Sequence, residues 1–498
     1  MLSCWHVSPQ AGRRTETQVE KIADDANART DSTKRASRGG RVLAGLKPVP
    51  LPTPPGPTNL IRTMMTYPKA PLPFLSDVVN TYGDVSSFRL ATLKVTLLSH
   101  PHHIRRVLQQ RSGSYDRGSG AYRMTRNLFG RGLATVEGGE EWRSMRRMMQ
   151  PSFHYQRVAS MAEHMLAVIR ARVEIWDAKA AAGEIVDFAQ EMRNLTLRVV
   201  ARALFALEEG EVCDRFTDAI ETVDRELGEW VRFPLLPLSV PTASHRRYRT
   251  SRTIAEEIID YVIVQHLTDQ VDRGDLLSML IMTEDETGAR LSDEQLRDQV
   301  MIMLWAGHET SANVLTWLWY RLGRHPEVQQ RVLREVDEEL LGKPPTLADC
   351  SKLTYARSVI DETQRMYPQA WLGSRRALEE DEIGGFRIPA GTEIFFSSYH
   401  AHRHPEFWDE PDEFRPDRFT AEEVAKRDRS AYFPFGSGPH LCIGNQFAMT
   451  EMLLIIASVM QRYRIELTEQ EPVNPRPLLT LGPEKPIRVR LVPRGRPV

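Results

Sequence analysis

Cysteine is scarce in this chain: Cys4, Cys213, Cys350 and Cys442 are the only four in 498 residues. So few, so scattered, cannot build the clustered framework of a small secreted domain. A reducing compartment is implied, and the cytoplasm is the expected location. Net charge is also nearly absent, with 65 Lys and Arg against 66 Asp and Glu. That balance gives no reason to expect nucleic acid. No stretch of eighteen consecutive apolar residues occurs, so no membrane-spanning helix is expected. The first thirty residues hold no apolar run for a signal peptide, and Arg13-Arg14 has no hydrophobic region behind it. Acidic residues at Glu16, Glu20, Asp24, Asp25 and Asp31 argue against an organellar presequence. No fixed-period repeat is found, which removes solenoids and propellers.

What remains is ordinary globular material, 41% hydrophobic and 26% charged. Residues 1–45 are polar and rich in Arg, Ser and Thr, and are expected to be poorly ordered. Residues 46–57, with Pro48, Pro50, Pro52, Pro54, Pro55 and Pro57, predict a stiff spacer leading into one folded body over 58–498. That body reads as mainly α, with short β-like stretches near 84–99 and 383–396. The clearest helix begins at Ser292, with Gln295 as its capping-box partner, and runs to Gly323 and His325-Pro326 as stop signals. It is apolar nearly all round in its middle, so it should cross the centre of a large helical domain.

One cysteine has an unusual setting. Cys442 lies in Phe435-Gly436-Ser437-Gly438-Pro439-His440-Leu441-Cys442-Ile443-Gly444, immediately before a strong amphipathic helix. Unpaired N–H groups and the positive end of that helix should favour a thiolate. The glycines allow tight turns and close approach of something flat. A lone cysteine is more often a small buried hydrophobe, and zinc lacks partners at ligand spacing. A Cys442–His440 nucleophilic pair is conceivable, though two residues apart is a poor spacing for contact. A thiolate ligand to haem iron accommodates loop, helix and glycines together.

The string F-x-x-G-x-H-x-C-x-G resembles the haem-binding loop of the cytochrome P-450 family, and three further signatures occur upstream. Glu362-Thr363-Gln364-Arg365 is similar to the family's E-x-x-R. Pro416-Asp417-Arg418-Phe419 resembles its P-E-R-F segment with Asp in place of Glu. Ala306-Gly307-His308-Glu309-Thr310-Ser311 matches A-G-x-[DE]-T-[TS] in the long helix. His308-Glu309 does not open a zinc helix, because the residue four beyond His308 is Ala312. Trp142 and Arg146, one turn apart, match the helix that meets the haem propionates.

The resemblance spans roughly residues 50–492. It implies a cytochrome P-450 fold: a large helical domain and a smaller β-rich region, with haem b between the long central helix and the Cys loop. Cys442 would be the iron ligand. Trp142, Arg146, Ala306, Phe435, His440 and Gly444 would hold the cofactor, together with Arg375 or its neighbour Arg376. Glu362, Arg365 and Arg418 would form a buried structural triad. Thr310 and Glu309 would deliver protons while one atom of O2 enters a lipophilic substrate of terpenoid, steroid or fatty-acid type. The pocket is expected under Ser112–Leu133, 229–241, Ala370–Gly373 and Leu478–Leu481, with Trp305, Trp371 and Phe233 in its lining. Residues 233–238 read as a lid, and Arg117 or Arg123 could meet a substrate carboxylate. Electrons would come from a separate ferredoxin and its NAD(P)H-dependent reductase, with Arg143 and Arg147 as a basic docking patch. Two other readings stay open: a hydroperoxide-using isomerase or peroxygenase, and a haem protein that binds ligand without turnover.

Overall fold

The computed structural model describes residues 51–232, 240–269, 271–284, 288 and 290–495. Phe233 with the whole of the expected lid at 233–238, as well as the polar segment 1–45, lies outside them. The longer helices are α1 (Pro71–Tyr82), α2 (Gly120–Phe129), α3 (Gly139–Met149), α4 (Tyr155–Ala181), α5 (Phe188–Phe205), α6 (Glu211–Arg232), α7 (Ala243–Asp269), α8 (Asp293–Arg324), α9 (Pro326–Leu340), α10 (Thr354–Met366) and α11 (Asn445–Arg462). The fold is mainly α, as the sequence indicates. No helix among the described residues is long and apolar enough to cross a membrane.

The β-rich region is a five-stranded sheet of β1 (Val85–Leu90), β2 (Leu93–Leu98), β3 (Tyr115–Asp116), β5 (Gly373–Ala377) and β8 (Glu393–Phe396), in the order β1-β2-β8-β5-β3. Both β-like stretches of the sequence fall here or in the hairpin β6 (Asp381–Ile383) and β7 (Phe386–Ile388). Another sheet joins β4 (Ile185–Asp187), β9 (Tyr463–Leu467) and β12 (Arg488–Pro493). A second hairpin pairs β10 (Pro475–Pro477) with β11 (Leu481–Pro483). These small sheets, except for the main one's core strands, are too short to leave a period-2 signature in sequence.

The proline-rich segment is not a free spacer over its described part. Ser87 of β1 donates its N–H to Pro55 at 2.7 Å and its hydroxyl to Pro54 at 2.8 Å, and Arg387 N–H reaches the Pro52 carbonyl at 2.9 Å. Prolines suit such an edge because they keep an extended shape and offer carbonyls without needing a donor partner.

α8 runs through the helical domain against α5, α7, α10 and α11. Its capping box is formed as expected: Gln295 N–H donates to Ser292 Oγ at 3.2 Å, and Ser292 N–H to Gln295 Oε1 at 2.9 Å. The helix ends at Arg324 with His325 as its cap, at the expected stop, and Gly323 also serves packing, since a Cβ there would lie 2.6 Å from Leu467 of β9. Further along the core, Trp317 stacks on Tyr367 with ring centres 3.9 Å apart and donates to the Leu481 carbonyl at 2.8 Å. This pins the C-terminal hairpin to the rod.

Candidate active site

The loop before α11 is shaped by its backbone. Cys442 N–H donates to the Phe435 carbonyl at 2.9 Å and Gly436 N–H to Phe433 at 2.9 Å. Phe433 N–H in turn donates to Nε2 of buried His402 at 3.1 Å. Gly436 and Gly438 take φ of 74° and 72°, a region that disfavours side chains. Cys442 keeps accessible surface, although burial is the largest influence on its thiol. Burial raises the thiol's pKa, and the Gly444 N–H and Arg146 offset this only in part. A metal ion bound at the sulfur would supply the further positive charge that favours the anion.

Beside the loop, Trp142 and Arg146 project from α3. The indole packs on His440 with ring centres 4.0 Å apart, and Arg146 Nη1 donates to the Leu441 carbonyl at 2.8 Å. The sequence left Arg375 and Arg376 as alternatives, and the sheet separates them. Arg376 pairs with Asp116 of β3 at 2.5 Å, while Arg375 is buried and reaches the Tyr122 hydroxyl at 3.3 Å. Arg117 joins Arg375 at Tyr122 and donates to the Leu133 carbonyl at 3.0 Å. Its own Nε, like Nδ1 of His440, is buried without a partner. Arg123, the other cation considered for a substrate, donates instead to the Gly118 carbonyl at 2.8 Å.

Charge repulsion marks this group as one cluster. Burial, then Arg117, Arg375 and Arg146, push His440 down to about 2, so its ring is neutral. Burial, with Arg375 and Arg146, lowers Arg117 to about 10. No carboxylate pairs with Arg117, Arg146 or Arg375 among the described residues. Cations without a carboxylate, Arg117 and Arg375 buried and Arg146 partly so, and an orphaned ring nitrogen close to the Cys442 loop fit the two propionates and the iron of a haem. Sequence inspection missed Arg117 in this role and Tyr122 altogether; neither carries a recognisable spacing.

On the other wall, α8 is buried before and after a partly accessible stretch at Trp305–Gly307 and Glu309–Thr310. Thr310 donates its hydroxyl proton to the Ala306 carbonyl at 2.7 Å, leaving its lone pairs to accept. Glu309 Oε1 accepts from Thr480 Oγ1 at 2.8 Å, and Thr480 accepts from Asn313 Nδ2 at 3.0 Å. Burial first, then the Asp224 carboxylate, raise Glu309 to about 7, the range in which a carboxyl both holds and yields a proton near neutrality. A Cβ on Gly307 would sit 3.1 Å from Val200 of α5, so this glycine permits helix packing. Trp305 stacks on Phe129 at 4.5 Å, whereas Trp371 is buried and donates to the Leu478 carbonyl at 2.9 Å.

The three charges of the expected triad do meet. Arg365 donates to both oxygens of Glu362 at 2.7 and 2.9 Å, and both side chains are fully buried. Arg418 is looser, with Nε 3.5 Å from Glu362. Asp417, which replaces the family's Glu, pairs with Arg331 of α9 through two 2.7 Å bonds. Arg143 and Arg147 are not an unopposed basic patch, because each bonds Glu140 of the same helix at 2.9 Å.

The comparisons agree with this geometry. The cytochrome P-450 family profile matches residues 50–491. Cyclooctat-9-en-7-ol 5-monooxygenase of Streptomyces melanosporofaciens is 36% identical, covering 83% of this chain and 89% of its own. Pentalenene oxygenase of Streptomyces avermitilis is 32% identical, covering 89% and 97%. The crystal structure of the cytochrome P450DA heme domain superposes with a TM-score of 0.80 at 28% identity, over 90% of this chain and 98% of that one. The chain belongs to the cytochrome P-450 family of monooxygenases.

Proposed function

We propose that this protein inserts one atom of O2 into a terpenoid, with electrons from a separate ferredoxin and its reductase. The observation that carries the reading is the pairing of Glu309, poised near neutrality, with Thr310 on the wall of the central helix. A haem bound through Cys442 would supply oxygen activation and electron donation from sulfur. Arg117, Arg146, Arg375 and His440 would hold its propionates, with Trp142, Phe435, Ala306 and Gly444 shaping the cradle. Thr310 Oγ, its own proton held by Ala306, would accept a hydrogen bond from a group in the pocket, and Glu309, held by Thr480 and behind it Asn313, would hold and yield the proton. Glu362, Arg365 and Arg418 stabilise the loop's surroundings.

A terpenoid is favoured over a steroid or fatty acid by two relatives, whose names give cyclooctat-9-en-7-ol and pentalenene as what they oxidise. Trp305 stacked on Phe129 offers a flat apolar surface of the right kind. The test is an optical titration of the purified ferric protein with sesquiterpenes, diterpenes, steroids and fatty acids, followed by turnover with ferredoxin, reductase and NAD(P)H. A saturable shift to high spin with terpenes, and oxygenated product that requires the electron donors, is the expected result. Product formed from a hydroperoxide alone would replace this reading with a peroxygenase or isomerase.

A further inference from the structure

The side chain between Gly307 and Glu309 in the central-helix motif has no place in the scheme above. His308 is 2% exposed, and both its ring nitrogens are engaged. Nδ1 lies 2.9 Å from the Leu304 carbonyl, and Nε2 lies 2.9 Å from Oδ2 of Asp224 on α6. A carbonyl only accepts, and so does a carboxylate. Both nitrogens must therefore donate, which makes the ring an imidazolium facing its counter-ion. The raised pKa of His308 has the same sense: burial opposes it most, and Asp224, the Leu304 carbonyl and Glu309 together overcome burial. The other Asp224 oxygen, Oδ1, is buried with no hydrogen-bond partner. The carboxylate thus spends its one good contact on His308. α6 otherwise packs chiefly on α7 and α5, so this pair is a specific bridge from α6 to the rod.

We propose that Asp224 is a positioning residue for proton delivery: paired with His308, it sets the pH at which Glu309 gives up its proton. The inference rests on the proton-relay reading of Glu309. Two opposite charges reach Glu309 from this pair. The Asp224 carboxylate disfavours ionisation of Glu309 and the His308 ring favours it, the carboxylate being the stronger. The other groups facing the three are Arg193 and Thr196 of α5, Ser311 of α8, Glu451 of α11 and Thr480 ahead of β11. Arg193 alone among these adds a positive charge.

The two partners have opposite signs, so removing each has an opposite consequence. In Asp224→Asn the carboxylate is lost and the His308 ring, without its counter-ion, becomes neutral. Glu309 then ionises at lower pH. In His308→Gln the amide N–H still donates to Asp224 and keeps it a carboxylate while the cation goes, so Glu309 ionises at higher pH. A purely structural contact predicts no such reversal.

The measurement is infrared difference spectroscopy of the resting holoenzyme across pH. The Glu309 carboxylic-acid band is identified by its loss in Glu309→Gln. Its disappearance is expected to move down by roughly one pH unit in Asp224→Asn and up by a similar amount in His308→Gln. Movement in the same direction, or none, in both variants overturns the proposal. Should Asp224→Asn fail to fold, the upward movement in His308→Gln decides by itself. The relay reading is judged separately, by product formed per NAD(P)H consumed. Wild-type coupling in Glu309→Gln would end that reading whatever the infrared bands do.

Discussion

Gly438 lies so close to Leu108 that a Cβ on the glycine would sit 2.0 Å from the Leu108 carbonyl oxygen. The Cys loop is thereby seated directly on the backbone at the end of the short helical stretch that follows β2. Gly436, two residues earlier, has the same positive φ but nothing closer than 4.0 Å. Gly436→Ala should cost only the conformational penalty, about 1 kcal/mol. Gly438→Ala must in addition push loop and backbone apart. Purified Gly438→Ala is expected to show a clearly lower haem-to-protein ratio and a lower Tm than Gly436→Ala. Equal loading in the two variants would mean that the seat does not shape the site.

Glu362 and Arg365 are both fully buried and joined by two hydrogen bonds. Arg365 also donates to the carbonyls of His402, Pro411 and Glu413. Removing one member leaves an uncompensated charge, so Glu362→Ala or Arg365→Ala should lose about 3–5 kcal/mol. Arg418, at 3.5 Å and more weakly engaged with Glu362, should cost less when truncated. Urea unfolding of the three variants gives the order directly.

Glu451 of α11 has no exposed surface, and neither carboxyl oxygen has a hydrogen-bond partner. Ser311 lies beside it without a well-formed bond. Burial drives the acid up to about 8, with Ser311 and His308 offsetting little. The folded-state value exceeds the unfolded one, so folding prefers the protonated acid. Its contribution is fully present below about pH 4 and is lost as pH rises toward 8. Glu451→Gln removes that dependence. It is expected to be more stable than wild type by about 1–3 kcal/mol at pH 8, with a smaller gap at pH 6. Denaturant midpoints at the two pH values check it, and a gap that does not change with pH would contradict a protonated buried acid.

Much of the site could be read in the chain because the chemistry is local there. Phe435 to Gly444, Glu362 with Arg365, and Ala306 to Thr310 each lie within ten consecutive residues. Hydrogen-bond geometry within a turn or helix fixes such groups from spacing alone. The remainder was assembled by tertiary packing. Thr480 reaches Glu309 from 171 positions away, and Asp224 reaches His308 across 84. Arg117 reads in sequence as a cation that could meet a substrate carboxylate until burial places it beside Arg375. Arg143 and Arg147 both bond Glu140, three and seven residues back on the same helix, a pairing their spacing already allowed.

Thr310 has already donated its proton to Ala306, so its oxygen acts toward the site only as an acceptor. Thr310→Ser keeps that acceptor and Thr310→Ala deletes it. Substrate binding needs neither, so the spin-state titration should be unchanged in both. In Thr310→Ala, product per NAD(P)H is expected to fall about tenfold while NAD(P)H is still consumed, with the missing electrons recovered as peroxide. Thr310→Ser should stay close to wild type. Glu309 adds the pH dependence. Raised to about 7, it carries its proton below neutrality and loses it above. Coupling in the wild type should therefore decline as pH passes from 6 to 8, and Glu309→Gln should flatten that profile at a low level. Full coupling in Thr310→Ala would remove the alcohol from the relay and leave Glu309 to be tested by its own profile.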